Sequence, residues 1–211
     1  EAQKRQRRRR KPREEDRVRE LHHAGGEHRL PARFLSTFSQ GLMFEGYFFD
    51  CWPAYDRLVR VMERQINMTI WGPLLDHSVG FGFDCYHHYL YTGDLTPVRE
   101  PWVRTQRFVR YLSGIRTGDG LLPVTNLGTP AVWIDHEAYR GGRQEHKQCA
   151  FNLYAAAMLK HAFVPLARAI GDKPWAEFAD TLGSQLLEAT VRQFWSEADG
   201  LFINNLPWLG T

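Results

Sequence analysis

Two short runs hold many of the side chains in this chain that could do chemistry. One is Trp133-Ile134-Asp135-His136-Glu137; the other is Glu145-His146-Lys147. An indole offers a flat apolar face to a sugar ring, and neighbouring acids and an imidazole can bond its hydroxyl groups. Asp135 and Glu137, two positions apart on a loop, could act as acid and base if one of them is desolvated. The competing reading is a buried Trp133 with acids that cap the loop. Glu145 and His146 lead straight into an apolar helix. They serve either as an N-terminal charge cluster or as a second wall of the same pocket. Asp76 and His77 stand at the equivalent point before another apolar helix and admit the same two readings, capping or pocket lining. Asp50 and Trp52, in Asp50-Cys51-Trp52-Pro53, precede an earlier helix in the same way.

Asp84, His87 and His88 share part of one helical face at positions i, i+3 and i+4. They fit a metal site that lacks a third convincing ligand, or histidines bonded to Asp84 inside a helix interface, which is the expectation. Common nucleotide and metal signatures are absent. Gly80-Phe81-Gly82 has Cys85 where a third glycine would be needed, and no GxxxxGK[ST], HExxH or GxSxG run occurs. Cys51, Cys85 and Cys149 are odd in number and widely spaced. They read as small buried apolar residues, not as a disulfide framework.

These groups need elements to position them. Pro53 opens a predicted helix at about 53–66, closed before Gly72-Pro73. Asp76-His77-Ser78 offers N-caps for a helix at 77–91, ended by Gly93. Asp94 caps the next, at 95–115. A long loop, 121–145, runs into a helix at 146–170, closed by Gly171. Lys173-Pro174 opens a last helix to about 195, and Asp199-Gly200 turns into a short strand at 201–203. Residues 34–50 admit strand, loop or short helix. Helix 146–170 is apolar all round and helix 77–91 is mostly apolar and aromatic with one central acid, Asp84; both are expected to be buried on several sides. Helices 95–115 and 174–195 are amphipathic and are expected to keep a wet face. That alternation predicts an all-α fold of helical hairpins in two concentric layers. A closed ring of six hairpins needs twelve helices, and about five are visible, so the chain is expected to supply roughly half a ring.

Charge divides the chain. Residues 1–31 carry 11 Lys/Arg against 6 Asp/Glu, while residues 32–211 carry 16 against 18. The basic balance therefore belongs to a tail, expected to be disordered, and not to the folded domain at 32–211. No aromatic residue interleaves with Arg7-Arg8-Arg9-Arg10, so nucleic acid is not the expected partner. No run of about 18 apolar residues suggests a membrane span. The arginines are followed by Glu14-Glu15-Asp16 and not by the apolar stretch of a signal peptide, which favours a cytoplasmic setting. A first residue of Glu1 suggests a piece of a longer protein.

Several of these stretches, in this order, resemble the six-hairpin glycosidases, and in particular the α-L-rhamnosidases of glycoside hydrolase family 78. The stretches are Asp76-His77-Ser78, Leu90-Tyr91-Thr92-Gly93-Asp94-Leu95 with Val98-Arg99-Glu100, Asp119-Gly120-Leu121-Leu122, Trp133-Ile134-Asp135-His136, Phe151-Asn152-Leu153-Tyr154, and Phe194-Trp195-Ser196-Glu197 with Asp199-Gly200-Leu201-Phe202. The resemblance covers roughly residues 50–203. It implies a partial (α/α)6 barrel, a six-hairpin toroid of alternating inner and outer helices. It also implies inverting hydrolysis of terminal sugar residues by two carboxylates about 6.5–9.5 Å apart. No metal or cofactor is needed, and the partner is a small carbohydrate or glycoside. Trp133 and Asp135 would line the sugar pocket with Asp76 nearby. Asp50-Cys51-Trp52-Pro53 with Asp56-Arg57 is similar to the family's acid motif, but no Glu follows Asp56, so the resemblance assigns no general acid. His136 stands where the family has Trp. The alternatives are another six-hairpin glycosidase, acting on glucosides or uronides, and a non-catalytic carbohydrate-binding helical toroid.

Overall fold

Glycines and prolines set most of the helix boundaries in the computed structural model, which describes residues 29–49, 52, 73–128, 130–134 and 145–203. Helix α1 (Arg29–Ser39) buries Leu35 and Phe38. It thus resolves the open reading of residues 34–50 as helix followed by loop, and its first residues fall within the segment 1–31 expected to be tail. A single antiparallel bridge, Leu42 to Phe48, closes the following loop.

Helix α2 (Leu75–Thr92) ends where Gly93 takes a φ of 72° and returns its N–H to the Tyr89 carbonyl. Its start differs from the expectation. Leu74 is the N-cap and no side chain caps it. Ser78 instead donates to the Phe48 carbonyl (3.3 Å) and accepts the Phe48 N–H (3.1 Å), tying the α1 loop to α2. The predicted helix 95–115 is two pieces, α3 (Thr96–Arg99) and α4 (Trp102–Ile115). Pro101 separates them because it has no N–H to donate and its ring crowds the preceding turn.

The predicted helix 146–170 runs through its own proline. A 3-10 turn (Glu145–Lys147) leads into α5 (Gln148–Met158), a π turn (Leu159–Phe163) and α6 (Val164–Ile170). The Val164 N–H reaches back five residues to the Leu159 carbonyl, and this wider turn makes room for Pro165 without ending the helix. Gly171, at φ 92°, closes it. Helix α7 (Lys173–Phe194) has Pro174 in its first turn. Strands β1 (Trp195–Ser196) and β2 (Leu201–Phe202) then form a small antiparallel hairpin.

The described chain is all-α apart from that hairpin and two isolated bridges. Helix α2 lies between α1 and the α5–α6 rod, and α7 packs along the rod's other side and against α4. Phe38, Phe48, Phe81 and Phe108 form one aromatic cluster, with neighbouring centroids 4.9–5.8 Å apart. Trp102 stacks on Phe163 at 4.7 Å, and its indole N–H donates to Asp172 (2.9 Å), which anchors α4 to the turn between α6 and α7. Cys85 and Cys149 are buried free thiols. Burial pushes the Cys149 thiol up to about 11 and the Cys85 thiol higher still, so both are packing residues; Cys51 lies outside the described residues. No helix among the described residues is long and apolar enough to cross a membrane.

The rod and α7 meet closely at Gly183, where an added Cβ would stand 3.2 Å from the Leu159 Cβ and 2.7 Å from the Lys160 Cγ. Leu159 cannot retreat without moving the backbone. Gly183→Val is therefore expected to cost about 2–3 kcal/mol through overpacking, read as a lowered urea midpoint with an unchanged slope. A loss below about 0.5 kcal/mol would mean that the helices slide apart easily.

The two helices expected to be buried on several sides are so, and each keeps one open strip. Helix α2 leaves His77, Asp84, His87 and Tyr91 open, and the rod leaves Ala150 and His161 open with Tyr154 and Ala157 half-buried between them. Each set recurs at helical spacing, so each is one strip along its helix.

Candidate functional site

The two open strips meet. His77, Gly80 and Asp84 of α2 and Ala150 and Tyr154 of α5 line one cavity of about 640 Å3. Phe34 and Phe38 of α1 and Ile134 complete its described lining, together with Asp76. An apolar, partly aromatic wall with a few convergent polar groups is the usual form of a small-ligand site.

The segment 130–134 is held over the head of α2 by three devices. Its backbone pairs with the start of the helix, where the Leu75 N–H donates to the Ala131 carbonyl and the Ala131 N–H to the Pro73 carbonyl (2.9 Å each). The carboxylate of Asp76, which is 8% exposed, accepts the N–H groups of Trp133 (2.7 Å) and Ile134 (3.1 Å). From the other side the ammonium of Lys147, a residue only 1% exposed, donates to the carbonyls of Val132 (3.0 Å) and Trp133 (2.6 Å). It also lies 5.9 Å from the centre of the Trp133 ring. Ile134 is held at φ +43°, a costly conformation for a β-branched residue that persists where surrounding contacts impose it. An acid in the first turn of α2, an apolar helix and a buried lysine thus clamp one short segment at the cavity rim.

Opposite, Tyr154 reaches toward α2 across Gly80, where an added Cβ would stand 3.3 Å from its hydroxyl. A glycine inside a helix costs about 1 kcal/mol relative to alanine, and this close approach accounts for it. The Tyr154 ring stacks on Phe83 at 5.3 Å. Its hydroxyl pKa is raised by burial and then by the charges of Asp84 and Asp76, with which it shares the cavity wall. Asp84 is open as a whole residue, yet protein surrounds enough of its carboxyl for desolvation to raise its pKa, an effect that His87 partly opposes. The expected bonding of His87 and His88 to Asp84 is not found: neither histidine hydrogen-bonds to it. His88 is buried, whereas Asp84 and His87 lie on the open strip. No group of three His, Cys, Asp or Glu side chains that could hold a metal ion is gathered among the described residues.

Of the residues singled out in the sequence, Asp76 and His77 line the cavity, and Asp76 is bonded to Trp133. Trp133 itself is half-buried against Lys147 and is not among the described lining residues. Glu145 and His146 stand in the turn before α5, one turn from Ala150. Trp52 packs on Gly41, where an added Cβ would come within 2.8 Å of its own Cβ. Asp50, Asp135, His136 and Glu137 lie outside the described residues. The sequence reading missed Phe34, Phe38 and Tyr154 as lining. The glycine in mid-helix at position 80 was the one local signal, since such a residue calls for a close neighbour. No protein-family model matches the chain, and no curated protein is significantly similar to it.

Proposed function

We propose that this chain is part of the catalytic domain of an α-L-rhamnosidase-like glycoside hydrolase of the six-hairpin kind. In this reading α2 and the α5–α6 rod are inner helices of a partial (α/α)6 barrel, and α4 and α7 are outer ones. The observation that carries it is the cavity in which the open strips of the two inner helices meet. Asp76, His77, Asp84 and Tyr154 gather there beside the rings of Phe34 and Phe38. Carboxylates and hydroxyls suit a polyol, and aromatic faces suit the C–H face of a sugar ring.

Hydrolysis proceeds with inversion through two carboxylates, one giving a proton and the other activating water. Asp135 and Glu137 are the carboxylates nominated from the sequence, with Trp133 beside them. No metal or cofactor is invoked. A uronide is the less favoured glycone, because no Lys or Arg is among the described lining residues while two carboxylates are.

The test is release of nitrophenol from aryl α-L-rhamnoside, glucoside and glucuronide by the protein. Turnover is expected for the rhamnoside, with the others slower by about 10-fold or more. Preferred turnover of the glucoside would move the assignment to another six-hairpin glycosidase. Saccharide binding without hydrolysis of any of the three would make the chain a carbohydrate-binding toroid and overturn the enzymatic reading.

A further inference from the structure

We propose that Asp84 is the proton donor of this site, standing on the seam between a sugar cavity and a second cavity for the leaving group. This rests on the glycosidase reading above and assigns the role that the sequence resemblance leaves empty.

A second cavity, of about 520 Å3, adjoins the first. Only Phe34 and Asp84 are common to the two described linings. The walls differ in degree. The first cavity carries Asp76, His77 and Tyr154, which can bond hydroxyl groups. The second sets Leu30, Pro31 and Leu35 of α1 against Tyr91 of α2, with His87, His88 and Thr92 along its α2 side, and less of its lining surface is polar. A polar ring joined to a less polar group would divide itself between them, and the bond joining the two parts must then pass the residues they share. Phe34 has no proton to give; Asp84 has.

The surroundings of Asp84 suit a donor. Helix α1 and Ile134 present only apolar side chains to the two cavities. Among the described lining residues the other titratable groups are Asp76, His77, His87, His88 and Tyr91 from its own helix and Tyr154 from α5. No hydrogen bond or ion pair with a described residue holds it in the charged form. Burial of the carboxyl favours its neutral form, against the weaker influence of His87, and a substrate filling both cavities would exclude more water and strengthen that bias.

In the step itself the Asp84 O–H bond breaks and its proton goes to the bridging oxygen. The bond from that oxygen to the anomeric carbon breaks with its electron pair leaving on the oxygen. Water adds its oxygen to the anomeric carbon and gives its proton to a second carboxylate. The second carboxylate then gives its proton to solvent, and a proton from solvent restores Asp84.

Asp84→Asn keeps the shape and removes the proton, so it separates chemistry from folding. It is expected to lower kcat/KM on alkyl and phenyl glycosides by about 10^2–10^4-fold. Dinitrophenyl glycosides, whose leaving group needs no protonation, should lose less than about 5-fold. The alkaline limb of the pH profile should vanish, because activity in the parent falls as Asp84 loses its proton. Asp84→Glu should recover part of the rate and keep the limb. Equal losses for all leaving groups, or an unchanged limb in Asp84→Asn, would overturn the assignment while leaving the glycosidase reading in place. Failure of the parent protein to hydrolyse any glycoside would overturn that reading, and this assignment with it.

Discussion

Asp76→Ala is expected to lower stability by about 2–4 kcal/mol and to abolish saccharide binding at the same time. The carboxylate accepts two backbone N–H groups from the segment that forms the cavity rim. Hydrogen bonds to a charged group contribute about 1.5–3 kcal/mol each, and a carboxylate in the first turn of a helix adds roughly 0.3–1 kcal/mol through the dipole. Two effects reduce the sum. Trp133 and Ile134 are half-buried, so water reaches part of what is freed, and Ile134 would relax from its positive φ and recover about 1 kcal/mol of strain. Asp76→Asn should fall between parent and alanine, since one acceptor oxygen survives. Amide exchange reads the effect directly: the Trp133 and Ile134 protons should become labile in both variants while those in the middle of α7 stay protected until global unfolding. Exchange that speeds up equally throughout would show that Asp76 holds the whole fold and not the rim. Unchanged stability with binding intact would remove Asp76 from the site.

What the sequence reveals here is what is decided locally. Gly93 and Gly171 end helices because a left-handed residue closes the last turn, and Pro174 starts one because its missing N–H is not needed there. Pro101 and Pro165 have the same chemistry and opposite outcomes. Pro101 divides its helix in two, whereas a π turn carries the rod through Pro165. That difference depends on whether neighbouring helices clamp both sides of the proline, and the rod is packed between α2 and α7. The open strip on the rod was illegible for a related reason. Alanine and tyrosine at positions 150, 154 and 157 look like core to any periodicity argument, because a cavity wall and a packed interface are apolar alike. The cavity lining from α1 is a tertiary fact as well, since nothing near Phe34 in the chain announces Tyr154. Asp84 was legible as the lone acid of an apolar helix. Spacing alone paired it with the histidines on its own helix, whereas the structure points it at two cavities.

The largest loss of stability is expected from a residue outside the cavity. Asn152 is fully buried in the wall of the rod and binds the loop after α4 through both ends of its amide. Its Oδ1 accepts the Leu122 N–H (2.7 Å), while its Nδ2 donates to the Leu122 carbonyl (3.0 Å) and the Gln148 carbonyl (2.8 Å). Leu122 is also fully buried, so its N–H has no water to turn to. Asn152→Ala removes these bonds, orphans that N–H and leaves a small void, for an expected cost of about 3–5 kcal/mol. The Leu122 carbonyl keeps Gln148 as a donor (3.2 Å), which is why the cost is not higher. Asn152→Asp distinguishes hydrogen bonding from packing. Its carboxylate still accepts the Leu122 N–H but turns its other oxygen on two carbonyls. A buried carboxyl so placed has its pKa raised on folding. The penalty is then absent below the unfolded Asp value near 3.9 and grows as pH rises toward the folded value. Asn152→Asp should therefore narrow its stability gap to the parent as pH falls and close it only near pH 4, about the unfolded Asp value, and Asn152→Ala should not. Were both gaps independent of pH, or the alanine loss under about 1 kcal/mol, the amide would be a space filler and the loop would be held by its apolar contacts alone.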